Sequence, residues 1–142
     1  MGENGKSSSE VALTPPGESD RSAKRSRLLI VDDHPDTANM MARLLQLSGY
    51  DVQTACSVAS ALQLASAQTY DIVVSDIGLP DATGYELMAQ IKELYHIKGI
   101  ALSGYGRDED FQRSIAAGFA EHLVKPVNME KLQAIIERLS NE

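Results

Sequence analysis

From Leu28 onward the chain alternates, five times over, a short run rich in Val, Ile and Leu with a longer segment whose apolar residues recur at helical spacing. A parallel strand can reach its neighbour only through a crossover, so this alternation predicts βαβ units around a parallel sheet. The runs predict strands at 27–31, 51–54, 72–75, 99–102 and 121–124, and the periodic segments predict helices at 35–48, 57–68, 84–95, 108–117 and 129–139. Leu28-Leu29-Ile30-Val31 and Ile72-Val73-Val74 are continuous rather than alternating, the mark of strands covered on both faces, which places them centrally. In the first helix Met40, Met41, Leu44, Leu45 and Leu47 are read as one apolar stripe closed by Gly49; in the last, Leu132, Ile135, Ile136 and Leu139 are read as another. Right-handed crossovers then give an α/β, doubly wound parallel sheet with helices on both faces. No repeat of solenoid length is present.

The first 26 residues do not share this pattern. They hold six serines, a Pro15-Pro16-Gly17 break and no apolar periodicity, and read as a flexible tail or interdomain linker, leaving 27–142 as the folded unit. Up to Arg27 the net charge is +1, so the remainder carries −8 of the total of −7. An acidic domain is a poor partner for nucleic acid, whose phosphates require clustered Lys and Arg, but it suits divalent cations. The lone Cys56 forms no internal bridge, Met1 to Glu10 lacks the apolar core of a signal peptide, and no apolar run approaches the roughly 20 residues that span a bilayer. A cytoplasmic location without membrane contact by this segment is the expectation.

In doubly wound sheets, chemistry gathers beyond the carboxyl ends of the strands, so the polar residues after each apolar run carry the argument. Asp32 and Asp33 follow the first run and Asp76 the third; with both strands central and adjacent, three carboxylates converge. Their mutual repulsion calls for a cation, and an oxygen-only donor set without clustered Cys or His suits Mg²⁺ or Mn²⁺ rather than zinc. Taken singly, Asp33 also reads as a helix cap before Pro35, and Asp76 as a turn residue before Gly78 and Pro80. Ser103-Gly104 follows the fourth run and Lys125-Pro126 the fifth. A hydroxyl and an ammonium on the same edge supply the donors that a phosphoryl group needs. The set then reads as one device: Asp76 as nucleophile, a metal bridging it to the transferring group, and Lys125, Ser103 and backbone N–H groups holding the oxygens.

These residues resemble the receiver domains of two-component response regulators and hybrid sensor histidine kinases. The resemblance rests on Leu28 to Asp33, Asp76-Ile77-Gly78-Leu79-Pro80, Ala101-Leu102-Ser103-Gly104 and Val124-Lys125-Pro126, in the family's order, and spans Leu28 to about Leu139. It implies a flavodoxin-like (βα)5 sheet of strand order 2-1-3-4-5. It implies that Asp76 accepts a phosphoryl group from a phosphohistidine on a histidine kinase or histidine phosphotransfer protein. Asp33, Asp76 and the backbone carbonyl of Gly78 would ligate Mg²⁺, with Asp32 acting through a metal-bound water. Ser103 and Lys125 would contact the phosphoryl oxygens, and phosphorylation would bias a surface of the fourth helix, fifth strand and fifth helix; a homodimer through the fourth and fifth helices is compatible with this reading. The domain would assist its own phosphorylation and dephosphorylation without being an enzyme in the turnover sense. Two positions depart from the family pattern: His122 stands where Tyr or Phe is usual, and Tyr105 follows Ser103 by two residues. Ser103, Tyr105 and His122 are therefore the switch candidates. Gly104-Tyr105-Gly106 and Ala117-Gly118-Phe119 resemble receivers appended to sensor kinases, and a chain that stops soon after its fifth helix carries the same expectation.

Three other readings compete. An aspartate-nucleophile phosphohydrolase of the haloacid dehalogenase type needs a second Asp two positions after the nucleophile, which neither Asp32-Asp33-His34 nor Asp76-Ile77-Gly78 supplies. A phosphorylation-independent interaction domain would have no use for the intact Asp33, Asp76 and Lys125. A nucleotide-binding domain would show a glycine-rich phosphate loop after the first strand, and none is present.

Overall fold

The computed structural model describes residues 26–142. Five strands, β1 (Arg27–Val31), β2 (Asp51–Ala55), β3 (Ile72–Asp76), β4 (Lys98–Ser103) and β5 (Glu121–Val124), alternate with five helices, α1 (Pro35–Leu47), α2 (Val58–Ala67), α3 (Gly84–Tyr95), α4 (Asp108–Ala117) and α5 (Met129–Ser140). All pairings are parallel and the spatial order is β2-β1-β3-β4-β5. The two continuous apolar runs occupy neighbouring interior strands, with Leu28 paired to Ile72 and Val31 to Ser75. Alternate residues of each strand feed opposite layers. Leu28, Ile30, Ile72, Val74, Ile100 and Leu102 pack against α1 and α5, while Leu29, Val31, Val73 and Ala101 pack against α2 and α3.

Three strands run longer than the apolar runs imply: β2 ends at Ala55, Asp76 is the last residue of β3, and β4 extends from Lys98 to Ser103. Backbone pairing continues where hydrophobicity stops, since Asp76 pairs with Leu102 and Ser103 with Val124. Asp76 is thus a strand residue and not the turn residue it also read as. The α1 stripe needs a larger correction. Ala38, Met41, Ala42 and Leu45 face the core, at the i, i+3, i+4, i+7 spacing of one helix face, whereas Met40, Leu44 and Leu47 form a second, outward stripe. The cap of α1 is His34 and not Asp33, and no side chain caps it. Gly49 closes the helix at φ 101°, donating to the Gln46 carbonyl.

The expected tail at 1–26 lies outside the described residues except for Ser26. That residue is buried and donates to the Ser140 hydroxyl of α5 at 2.7 Å. Among the described residues no helix is long and apolar enough to cross a membrane.

The loop between β3 and α3 is tied down at several points. The Gly84 N–H donates to the Ile77 carbonyl at 2.8 Å, Gly78 bridges Thr83, and Thr83 caps α3 in a reciprocal box with Glu86. Asp81 reaches across to the start of α2, its two carboxylate oxygens accepting from the Val58 and Ala59 N–H groups at 2.9 Å each. Those bonds hold the Asp81 carboxyl below its usual range. Gly84 is demanded by proximity, because a Cβ there would stand 2.3 Å from the Asp76 carbonyl oxygen.

Candidate functional site

The carboxyl ends of β1, β3, β4 and β5 open into a cleft of about 560 Å³ lined by residues that include Asp33, His34, Asp76, Gly78, Ser103, Tyr105 and Lys125. The sheet brings Asp32, Asp33 and Asp76 together as the adjacency of β1 and β3 requires: with His34, each offers one ligand atom within 4.8 Å of the others. Asp32 and Asp76 are buried, at 1% and 4% exposure, and Asp33 stands at the rim.

Electrostatics follow from that burial. The Asp76 carboxyl is pushed up from its ordinary 3.8 to about 6, chiefly by loss of water and further by the Asp32 carboxylate, against the lowering pull of Lys125. Lys125 Nζ lies 2.5 Å from Asp76 Oδ1. The Lys125-Pro126 peptide is cis. Asp32 Oδ1 accepts from the His34 backbone N–H at 2.9 Å, while Asp32 Oδ2 is buried without any hydrogen-bond partner among the described residues. A buried carboxylate oxygen left unpartnered carries a full desolvation cost, and a cation or its water would relieve it. Three carboxylates with one orphaned oxygen, set in an open cleft, form a hard oxygen donor set that fits a hydrated divalent ion such as Mg²⁺.

Ser103 lines the same cleft, but its hydroxyl is turned aside. It donates to the Tyr105 carbonyl at 2.6 Å and lies 2.8 Å from His122 Nε2. Tyr105 is exposed, with the Arg107 guanidinium 5.2 Å from its ring centroid, and only its backbone enters this arrangement. His122 is half-buried on β5, beside Phe111 of α4 at a ring-centroid distance of 4.5 Å. Gly78 is exposed on the cleft wall.

Two participants escaped the sequence reading. His34, whose Nδ1 lies 3.2 Å from Asp32 Oδ1 and 3.1 Å from Asp33 Oδ1, was legible only as the next residue in Asp32-Asp33-His34. Ser114, 1% exposed and 2.6 Å from His122 Nδ1, gave no signal at all, because a serine within a polar helix carries no mark of burial.

Comparison with known proteins agrees with this geometry. The response regulator receiver domain family matches residues 28–137. An uncharacterized 14.6 kDa protein of Leptolyngbya boryana is 33% identical over 114 residues, covering 78% of this chain and 87% of that protein. The two-component response regulator ORR24 of Oryza sativa subsp. indica is 32% identical over 77% of this chain, and the sensor protein EvgS of Escherichia coli is 30% identical over 79%. The chain spans only 18% of the former and 9% of the latter. Among solved structures, a CheY-like receiver domain from Methanospirillum hungatei superposes with a TM-score of 0.76 at 31% identity, covering 82% of this chain and 94% of that one. A Burkholderia pseudomallei response regulator determined with a phosphorylated aspartic acid, calcium ion and citrate superposes with a TM-score of 0.75 at 27% identity, covering 82% of this chain and 69% of that one. A sheet ordered β2-β1-β3-β4-β5, an acidic cleft at its carboxyl edge and a family match across nearly all of the described residues place this chain in the response regulator receiver domain family of two-component systems.

Proposed function

We propose that Asp76 is the phosphoacceptor of this receiver, taking a phosphoryl group from a phosphohistidine on a histidine kinase or histidine phosphotransfer protein. The folded unit 27–142, with Ser26, is the module that does so. The observation that carries the proposal is the ion pair between Lys125 and the buried Asp76, set beside the unpartnered oxygen of Asp32.

Attack by an Asp76 carboxylate oxygen forms an O–P bond as the P–N bond to the donor imidazole breaks, and the donor ring, protonated at its other nitrogen, leaves as neutral histidine beside the acyl phosphate. The nucleophile must be ionised, and with its carboxyl at about 6 most molecules meet that condition at neutral pH. Lys125 then turns from the carboxylate to a phosphoryl oxygen, a displacement of small reach given the 2.5 Å contact. Ser103 supplies a second donor once its hydroxyl leaves the Tyr105 carbonyl. Asp33, Asp76 and the Gly78 carbonyl would hold Mg²⁺, with Asp32 acting through a water, and the ion would supply positive charge against the developing phosphoryl oxygens. The Burkholderia structural neighbour, solved with a phosphorylated aspartic acid and a calcium ion, supports an aspartate as the phosphoacceptor. The sensor-protein relatives EvgS of Escherichia coli and RcsC of Salmonella typhi support the reading of this receiver as part of a hybrid kinase, and a cytoplasmic location belongs to the same proposal.

Incubation with acetyl phosphate and Mg²⁺ followed by intact-mass analysis tests the proposal. One phosphoryl adduct in wild type, lost to hydroxylamine and absent from Asp76→Asn, is expected. An adduct of equal yield in Asp76→Asn overturns it.

A further inference from the structure

The start of a helix leaves its first four N–H groups without partners inside the helix. At α2 the outer two are met locally, the Ser57 N–H donating to the Ser60 hydroxyl and the Ser60 N–H to the Ser57 hydroxyl, each at 3.1 Å. The middle two are met from elsewhere in the chain. The Val58 and Ala59 N–H groups donate to the two carboxylate oxygens of Asp81, at 2.9 Å each. Because α2 has no acidic residue in its own first turn, Asp81 also brings the negative charge that the positive end of a helix dipole favours.

Asp81 lies on the loop that carries Gly78, whose carbonyl is assigned to the metal. Gly78 bridges Thr83 across that loop, Pro80 fixes the backbone just before Asp81, and Leu79 and Ala82 pack against the α2 and α3 layer. Gly78 and Asp81 are thus two points on one short, stiff segment. Among the described residues no other hydrogen bond joins the tip, Leu79 to Ala82, to another element. An ion would hold the segment at Gly78 and α2 holds it at Asp81. Coupling of this kind is reciprocal: what the ion gains from a loop held by α2, α2 gains from a loop held by the ion.

We propose that Asp81 is a positioning residue for the metal site: by fastening the loop to α2 it sets the Gly78 carbonyl for the ion, and metal binding in return tightens the start of α2. The inference rests on the ligands assigned under the phosphoacceptor reading, Gly78 among them. It makes α2, on the opposite face of the sheet from α5, an element that senses whether the cleft holds its ion.

Amide hydrogen exchange followed by NMR in the full chain, with and without saturating Mg²⁺, reads the coupling at the two donors themselves. In wild type, Mg²⁺ should slow exchange of the Val58 and Ala59 amides by about tenfold. In Asp81→Ala both amides should exchange fast whether or not Mg²⁺ is present, and the Kd for Mg²⁺ should rise by about the same tenfold factor. That Kd is titrated by the shift of the Leu79 amide, which shares a peptide group with the Gly78 carbonyl. Asp81→Asn, with one acceptor oxygen in place of two, should keep one of the two amides protected and give a Kd between the others. A role confined to stability would lower the melting temperature of both variants and leave the Kd at its wild-type value, and that result would overturn the proposal. So would Val58 and Ala59 exchange indifferent to Mg²⁺ in wild type while the Leu79 amide shifts. Either result leaves the phosphoacceptor reading of Asp76 standing. A Leu79 amide unmoved by Mg²⁺ in wild type would instead remove the metal assignment of that reading, and the coupling with it.

Discussion

Asp76 is held in a costly state. Its carboxyl binds a proton more tightly in the fold, at about 6, than at its ordinary 3.8, so protonation stabilises the native protein fully below about pH 4 and that contribution is lost as pH rises through 6. Ionised at pH 7, the residue costs the fold on the order of 3 kcal/mol. Asp76→Asn is therefore expected to raise the metal-free unfolding free energy at pH 7 by about 1–2 kcal/mol, the lower figure reflecting the partner that Lys125 loses, with little gain at pH 4. Urea unfolding at the two pH values measures this, and equal gains at both would contradict it. Protons and metal compete for the same oxygen, so Mg²⁺ affinity should fall as pH drops through about 6. At this scale the sequence was explicit about Asp32, Asp33, Asp76 and Lys125, because strand ends in a parallel sheet deliver their next residues to one edge. It was silent on which way Ser103 faces. A hydroxyl's direction is decided by its partners, here Tyr105 and His122, which lie on the following loop and on another strand.

Among the elements, α3 and α4 differ in how firmly they are held. Gly84 starts α3 against the backbone of Asp76, and Leu87, Met88 and Ile91 are fully buried beneath it. Gly84→Ala would drive a methyl group into the Asp76 carbonyl, so a loss of about 1–3 kcal/mol is expected, with weakened Mg²⁺ binding because Asp76 must move. Thermal melts with and without Mg²⁺ check both parts. By contrast α4 buries only Ser114 and leaves Ile115 exposed, so its amides are expected to exchange with deuterium faster than those of α3 and β3. Element positions were readable from periodicity to within a residue or two. The misassigned face of α1 shows the limit: Met40, Leu44 and Leu47 keep helical spacing among themselves, and hydrophobicity alone ranks them above Ala38 and Ala42, which the sheet actually covers.

Across the whole molecule the sheet turns sequence order into proximity. β1 and β3, separated by α1, β2 and α2 in the chain, lie side by side, and that adjacency creates the acidic cleft. A cation filling the cleft binds the native state alone and stabilises it by mass action, about 2.7 kcal/mol at a hundredfold excess over its Kd. Wild type should gain thermal stability from Mg²⁺ at pH 7 and gain much less at pH 5, and differential scanning fluorimetry reads this directly. The strand order itself came from the family resemblance, since local patterns fix which segments are strands but not which strands are neighbours. The central claim is that Asp76 carries the phosphoryl group. Borohydride reduces an acyl phosphate to the alcohol, so protein treated with acetyl phosphate and Mg²⁺, then reduced and sequenced by tandem mass spectrometry, should show homoserine at position 76 and aspartate at 32 and 33. Homoserine at another carboxylate, or at none despite a stable phosphoryl adduct, would contradict the account.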